Sequence, residues 1–136
     1  MNTHYVAPYL LNPTHRITIN LIGAGGTGSQ VLQALSKIDY ALYKLGHPGL
    51  FVTVYDNDIV TEANIGRQLF CQSDIGLNKA NVLVSRANAF MGTDWESRNA
   101  LFPEAHDCTS ANITISCVDN VKSRLAIADF LRENTR

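Results

Sequence analysis

The sequence predicts a single α/β domain built on a doubly wound, mainly parallel sheet that is incomplete on its C-terminal side. Three observations lead there. Short β-branched runs alternate with stretches of helical periodicity. A Gly-x-Gly-x-x-Gly cluster joins the first run to the first helix. The second run is apolar nearly throughout, as in a strand covered on both faces.

The elements follow in order. Pro8 and Pro13 bracket Tyr9, Leu10 and Leu11, so residues 1–16 read as an extended arm. Ile17–Ile22 is a strand that stops at the glycines. After Gly28, apolar residues at Val31, Leu35, Ile38, Leu42 and Leu45 mark one face of a helix, closed by Gly46 and His47-Pro48-Gly49. Leu50–Tyr55 is a second strand. Residues 56–78 are polar and irregular, with one short helical turn expected at 65–70, and a long irregular segment in a small domain is usually functional. Lys79–Met91 returns to helix, with Ala80, Leu83, Ala87 and Phe90 inward. Residues 95–102 and 113–118 read as strands, and 120–132 as a closing helix with Val121, Leu125 and Ala128 inward. The sequence shows no repeat or interdomain linker. With no strand after Val118 to cover the sheet edge, residues 17–136 are expected to be the N-terminal part of a longer nucleotide-binding domain, or to be covered by a partner.

Composition narrows the function. The chain has 136 residues, 46% hydrophobic and 17% charged, as in an ordinary globular domain. Eleven basic against twelve acidic residues leave a formal charge of -1, without the basic excess of a phosphate-backbone binder, so no nucleic-acid partner is expected. No apolar run is long enough to span a bilayer, and the N-terminus has no signal-peptide pattern. Cys71, Cys108 and Cys117 form no C-x-x-C pair, which excludes a disulfide framework or a four-cysteine zinc site and points to a cytoplasmic setting.

The chemistry starts at the glycines. Gly23, Gly25, Gly26 and Gly28 lie after a strand and before a helix, where glycine permits a tight turn, close approach of a nucleotide and close packing of helix on strand. The helix N-terminus then faces a phosphate, a Rossmann-like arrangement. Asp56, at the end of the second strand, is placed to accept hydrogen bonds from a ribose. Asp58 either supports the site or caps the next turn. Asn64, Arg67 and Gln68 follow on the same loop, and Lys79 opens the next helix. Two cations and two amides suit a triphosphate better than a nicotinamide, since Arg forks onto phosphate oxygens and Lys acts as a point charge. Asp119 ends the fourth strand, where a carboxylate can hold Mg²⁺ beside phosphates or cap the following helix.

Together, Gly23-Ala24-Gly25-Gly26-Thr27-Gly28-Ser29, the run Asp56-x-Asp58-x-Val60-x-x-x-Asn64-x-x-Arg67-Gln68, Lys79, and Cys117-Val118-Asp119-Asn120 resemble the ThiF/MoeB/HesA family, the adenylating core of E1-like ubiquitin-activating enzymes. The resemblance covers residues 17–132. The arm from His4 to Leu11 and the His47-Pro48-Gly49 turn are most similar to its PRTRC-system ThiF branch. The resemblance implies an E1-like adenylation fold and an ATP-dependent adenylyltransferase, or ubiquitin-like modifier-activating enzyme. Asp56 would bind ribose, and Asn64, Arg67 and Lys79 the triphosphate. Gln68 would brace the loop and Asp119 would carry Mg²⁺, with Arg67, Lys79 and Asp119 as the catalytic set. The implied reaction is attack by the C-terminal glycine carboxylate of a ubiquitin-like or sulfur-carrier protein on the α-phosphate of ATP, in a homodimer. Many family members carry two C-x-x-C pairs for zinc, and this chain has neither; none of its cysteines matches the family's transfer thiol. Two other readings remain: a non-catalytic nucleotide-binding subunit, and a NAD-dependent oxidoreductase on the same fold.

Overall fold

The structure is a computed structural model describing residues 2–104 and 108–134. Met1 of the expected arm and the last two residues lie outside that range. The order is α1 (Pro8–Leu11), β1 (Ile17–Ile22), α2 (Gly26–Lys44), β2 (Leu50–Tyr55), two 3-10 turns (Glu62–Asn64 and Gln72–Asp74), α3 (Lys79–Met91), β3 (Glu96–Arg98), β4 (Ile113–Ser116) and α4 (Val121–Asn134). The four strands form one all-parallel sheet in the order β3-β2-β1-β4, the doubly wound pattern in which the chain reverses direction beside β1.

Side-chain alternation divides the sheet into two unequal faces. Ile17, Ile19 and Leu21 of β1 and Leu50, Val52 and Val54 of β2 point one way, into the main core with Leu32, Leu35, Ala80, Val82, Leu83 and Val84 of α2 and α3. Trp95 closes that core at its lower end, its indole N–H donating to the Leu50 carbonyl at 3.0 Å. The opposite face carries Thr18 and Asn20, and Phe51 beneath the Arg16 guanidinium. Only its C-terminal end is apolar, where Ile22 and Tyr55 meet Phe102 and Ile127. Phe102 stacks edge-on against Tyr55 and Phe130 at 5.0 and 4.9 Å, which fixes α4 over that end. Coverage of both faces, expected from β2, is complete in that strand only at Tyr55, since Phe51 and Thr53 stay half-buried, whereas Asn20 of β1 is buried under the Thr109 carbonyl.

Several expectations change. The arm contains a turn of helix, α1, because Pro8 is pre-set for a first helical position. Helix α2 begins at Gly26, two residues before Gly28, and buries Gly28, Ser29, Leu32, Leu35 and Ser36; Ile38 and Leu45 are exposed. Val31 and Leu42 still pack against the core, and close packing of Gly28 on the glycine loop brings Leu32 inward beside Leu35. Phe90 of α3 is likewise exposed, one turn past the sheet. In α4, Val121, Leu125 and Ala128 face outward, while Ile127, Phe130 and Leu131 pack inward. No helical turn forms at 65–70; the turns lie on either side, where Asn64 accepts from Thr61 and Asp74 from Cys71. Strands β3 and β4 are shorter than read because each is an edge strand with one neighbour. Among the described residues no helix is long and apolar enough to cross a membrane.

The loop after β2 is fastened to α3 by charge. Asp74 is buried and bonds the Arg86 guanidinium and the Cys71 N–H. Burial pushes its carboxyl upward, but Arg86 and the Cys71 N–H outweigh that and hold it below the usual range. A depressed folded value means this stabilisation is present above the unfolded value of about 3.9 and is lost as pH falls through the folded one. Asp74→Asn should therefore cost about 1–2 kcal/mol at pH 7, discounted because Arg86 is half exposed, and the gap from wild type should close below about pH 4. Denaturant unfolding at pH 7 and pH 3 checks this; a gap that widens in acid would refute it.

Candidate nucleotide site

At the C-terminal ends of β1, β2 and β4, the place where open parallel sheets bind ligands, lies a cleft of about 450 Å³. Gly23, Gly25, Gly26 and Thr27 line one wall, and Asp56, Asp58, Gln68 and Lys79 another. Asp119 and Asn120, just before α4, and Ser123 in its first turn close it from the other side, and Ala100, Leu101 and Phe102 form an apolar end. A larger groove of about 600 Å³ runs between α2 and α3, but its walls are mainly aliphatic and Ser29 is the one motif residue among those that line it. Converging polar groups, not size, single out the first cleft.

The glycine loop is shaped by contacts only glycine allows. Gly23 sits at φ +100, its Cα against the Cys117 carbonyl, and a Cβ on Gly28 would lie 1.8 Å from the Gly23 carbonyl oxygen. Gly28 itself does not line the cleft; it seats α2 on the loop so that Gly26 and Thr27 can face it. Cys117 packs beneath the loop, and burial pushes its thiol up, which keeps it neutral.

Asp56 joins two walls. One carboxylate oxygen accepts from the Ala24 N–H at 2.7 Å and the other from the Asp58 N–H at 2.8 Å. Asp56→Ala should therefore weaken ATP·Mg binding about tenfold or more, because the glycine loop loses its anchor as well as any ribose bond. Calorimetric titration checks this, and an unchanged affinity would remove Asp56 from the site.

Lys79 is 7% exposed, and no carboxylate among the described residues pairs with it. It lines the same cleft as the glycine loop and Gln68, where an anion would complete its charge. The Oε1 of Gln68 is buried without a partner, and its amide end rests on Gly25. At the other wall, Asn120 rather than Asp119 caps α4, accepting from the Ser123 N–H at 2.7 Å. The Asp119 carboxylate, which lines the cleft, is left without a bond among the described residues.

Asn64 and Arg67 do not line the cleft. The Asn64 carboxamide oxygen is turned inward, taken by the backbone and hydroxyl of Thr61. Arg67 is exposed, its Nε donating to the Ala63 carbonyl at 3.1 Å, which holds the side chain along its own loop. Residues the motifs did not mark are Ala24 as a backbone donor, the Tyr55–Phe102 wall, and Asn78. The last could be read as an N-cap, standing just before the first helical residue.

Comparison with known proteins shows the family and the fold. Over 114 residues the chain is 32% identical to an adenylyltransferase and sulfurtransferase, UBA4, of Eremothecium gossypii, a match spanning 80% of this chain and 24% of that protein. The fold is similar to that of the tRNA N6-threonylcarbamoyladenosine dehydratase TcdA of E. coli in complex with ATP (TM-score 0.70, 22% identity, 88% of this chain and 48% of that one). It is similar also to E. coli MccB with ATP (TM-score 0.67, 20% identity, 87% and 34%). The chain thus spans about a quarter to a half of the length of these relatives. Residues 10–135 match the ThiF family throughout, and the chain belongs to that family.

Proposed function

We propose that this chain carries the ATP-binding part of an E1-like adenylating enzyme. The observation that carries the proposal is Lys79, a largely buried lysine with no carboxylate partner among the described residues, which lines one cleft with a glycine loop that Asp56 anchors. ATP would lie with its ribose at Asp56, its base toward Leu101 and Phe102, and its phosphates along Gly25, Gly26 and Thr27. Lys79 would meet the charge that shifts onto pyrophosphate, and the Gln68 amide would set the edge of the phosphate path. Arg67, next to Gln68 in the chain, is the proposed second cation.

Among the described residues no three His, Cys, Asp or Glu side chains gather into a metal cage. Mg²⁺ needs none, since it takes one or two protein oxygens beside phosphates and keeps its waters, and Asp119 supplies one such oxygen. Bound there, Mg²⁺ would contribute charge neutralisation on the phosphates.

In the reaction proposed, a carboxylate oxygen from the C-terminal glycine of a ubiquitin-like or sulfur-carrier protein attacks the α-phosphorus. The bond from that phosphorus to the bridging oxygen breaks, leaving an acyl-adenylate and pyrophosphate. The protein's part is to align and to neutralise charge, not to supply a nucleophile. Homodimerisation belongs to the same proposal. A second reading, nucleotide binding without catalysis, is favoured by one feature: Arg67 stands outside the cleft. Carrier-dependent exchange of labelled pyrophosphate into ATP separates the two. Exchange supports adenylation, and ATP binding without exchange in the presence of the carrier supports the second reading.

A further inference from the structure

The loop between β2 and α3 is held to the helix by a side chain that belongs to no motif. Asn78 caps α3, its Oδ1 accepting from the Asn81 N–H at 2.9 Å. The Nδ2 of the same carboxamide donates to the Asp56 carbonyl at 2.8 Å and to the Asp58 carbonyl at 3.3 Å. The Asp58 carbonyl also accepts from the Lys79 N–H at 3.0 Å. Asp56, in turn, holds the Ala24 and Asp58 N–H groups. A continuous hydrogen-bonded path therefore runs from the glycine loop through Asp56 and Asp58 to the first residue of α3.

Capping alone does not call for asparagine, since Ser, Thr and Asp cap comparably. A carboxamide differs in accepting and donating from the same planar group. Here the acceptor side fixes the start of α3, which carries Lys79, and the donor side fixes the end of β2, which carries Asp56. We propose that Asn78 is a positioning residue that sets the distance between Asp56 and Lys79, so that one nucleotide is gripped at its ribose and at its phosphates together. The proposal rests on the nucleotide reading above. Joining two weak sites at a fixed distance strengthens binding of the joined ligand far more than that of its pieces.

The test compares wild type with Asn78→Ser, which keeps a neutral cap and loses both amide donations. Three probes are titrated into the whole chain by NMR: ATP·Mg, adenosine and inorganic tripolyphosphate. The dissociation constant for ATP should rise about tenfold in the variant, while those of adenosine and tripolyphosphate change by less than roughly twofold. Melting without ligand should stay within about 3 °C of wild type, since the cap is retained. Asn78→Thr, a second neutral cap, should repeat the pattern. Unchanged ATP affinity in both variants would overturn the positioning role and leave the nucleotide site standing. Parallel weakening of all three probes would also overturn it, as the mark of a generally damaged site. A wild-type chain that binds none of the three would overturn the nucleotide reading and this proposal together.

Discussion

Gly28→Ala should be the most damaging single-methyl substitution in this chain. The added Cβ would lie 1.8 Å from the Gly23 carbonyl oxygen and 2.7 Å from its carbon, backbone atoms that cannot rotate away. Either α2 lifts from β1, opening the core around Leu32 and Leu35, or the glycine loop is pushed off its seat on Cys117. Both routes lead to a loss of about 3–5 kcal/mol, a large share of the roughly 5–15 kcal/mol that holds a domain of this size together. Gly26→Ala is the matched control. Nothing lies within 4 Å of its Cβ, so its stability should stay within about 0.5 kcal/mol of wild type. Because Gly26 lines the cleft, this control should still weaken ATP. Denaturant unfolding of the two variants checks the pair, and equal stabilities would show that the close contact at Gly28 is not what seats the helix.

Lys79→Ala should have the largest effect on chemistry. Lys79 lines the cleft wall, and an electrostatic contact preorganised where charge develops is worth about 10²–10³ in rate. The expected result is a fall of that size in adenylation, with a smaller loss of ATP affinity, because charge moves toward pyrophosphate mainly in the transition state. Folding should not suffer. Removing a charge that has no carboxylate partner among the described residues breaks no ion pair, so the variant should melt close to wild type. A variant that adenylates at the wild-type rate would make Lys79 a structural lysine, and one that unfolds would give it a partner the geometry does not show.

How much of this was legible in the sequence depends on whether local or tertiary forces decide each feature. Strands β1 and β2 and helix α3 have the boundaries the pattern gives, because glycines, Pro48 and the Asn78 cap punctuate them locally. On α2 the read face holds at Val31, Leu35 and Leu42 and fails at Ile38 and Leu45, while the inward face of α4 was misread, both for a tertiary reason. Close contact at Gly28 sets the rotation of α2, and stacking of Phe130 on Phe102 sets that of α4; neither contact is visible in a periodicity count. Ile127, Phe130 and Leu131 do form an alternative helical stripe beside Val121, Leu125 and Ala128, so sequence alone left two candidate faces.

The candidate site divides in a similar way. Gly23, Gly25, Gly26, Asp56, Asp58, Gln68, Lys79 and Asp119 come from five separate segments, and the topology gathers them in one cleft, since all but Gln68, on the loop between the 3-10 turns, sit at or just past the C-terminal end of a strand or at the start of a helix. Asn64 and Arg67 were placed there by motif alone. On an irregular loop, residue spacing does not fix side-chain direction, and the bonds to Thr61 and Ala63 decide it. Asn78 was overlooked because its contribution lies in two backbone carbonyls far along the chain, Asp56 and Asp58, which no side-chain motif marks.

The central claim is that this cleft takes a nucleoside triphosphate. Thermal unfolding of the whole chain with ATP·Mg and, separately, with NADH tests it directly. A ligand that binds only the folded chain stabilises it by about 2.7 kcal/mol at a hundred times its dissociation constant, or roughly 9 °C for a chain of this length. The account predicts such a rise with ATP·Mg and none with NADH at the same concentration. A rise with NADH and none with ATP·Mg would contradict it, and would return the glycine loop and Asp56 to a dinucleotide-binding oxidoreductase.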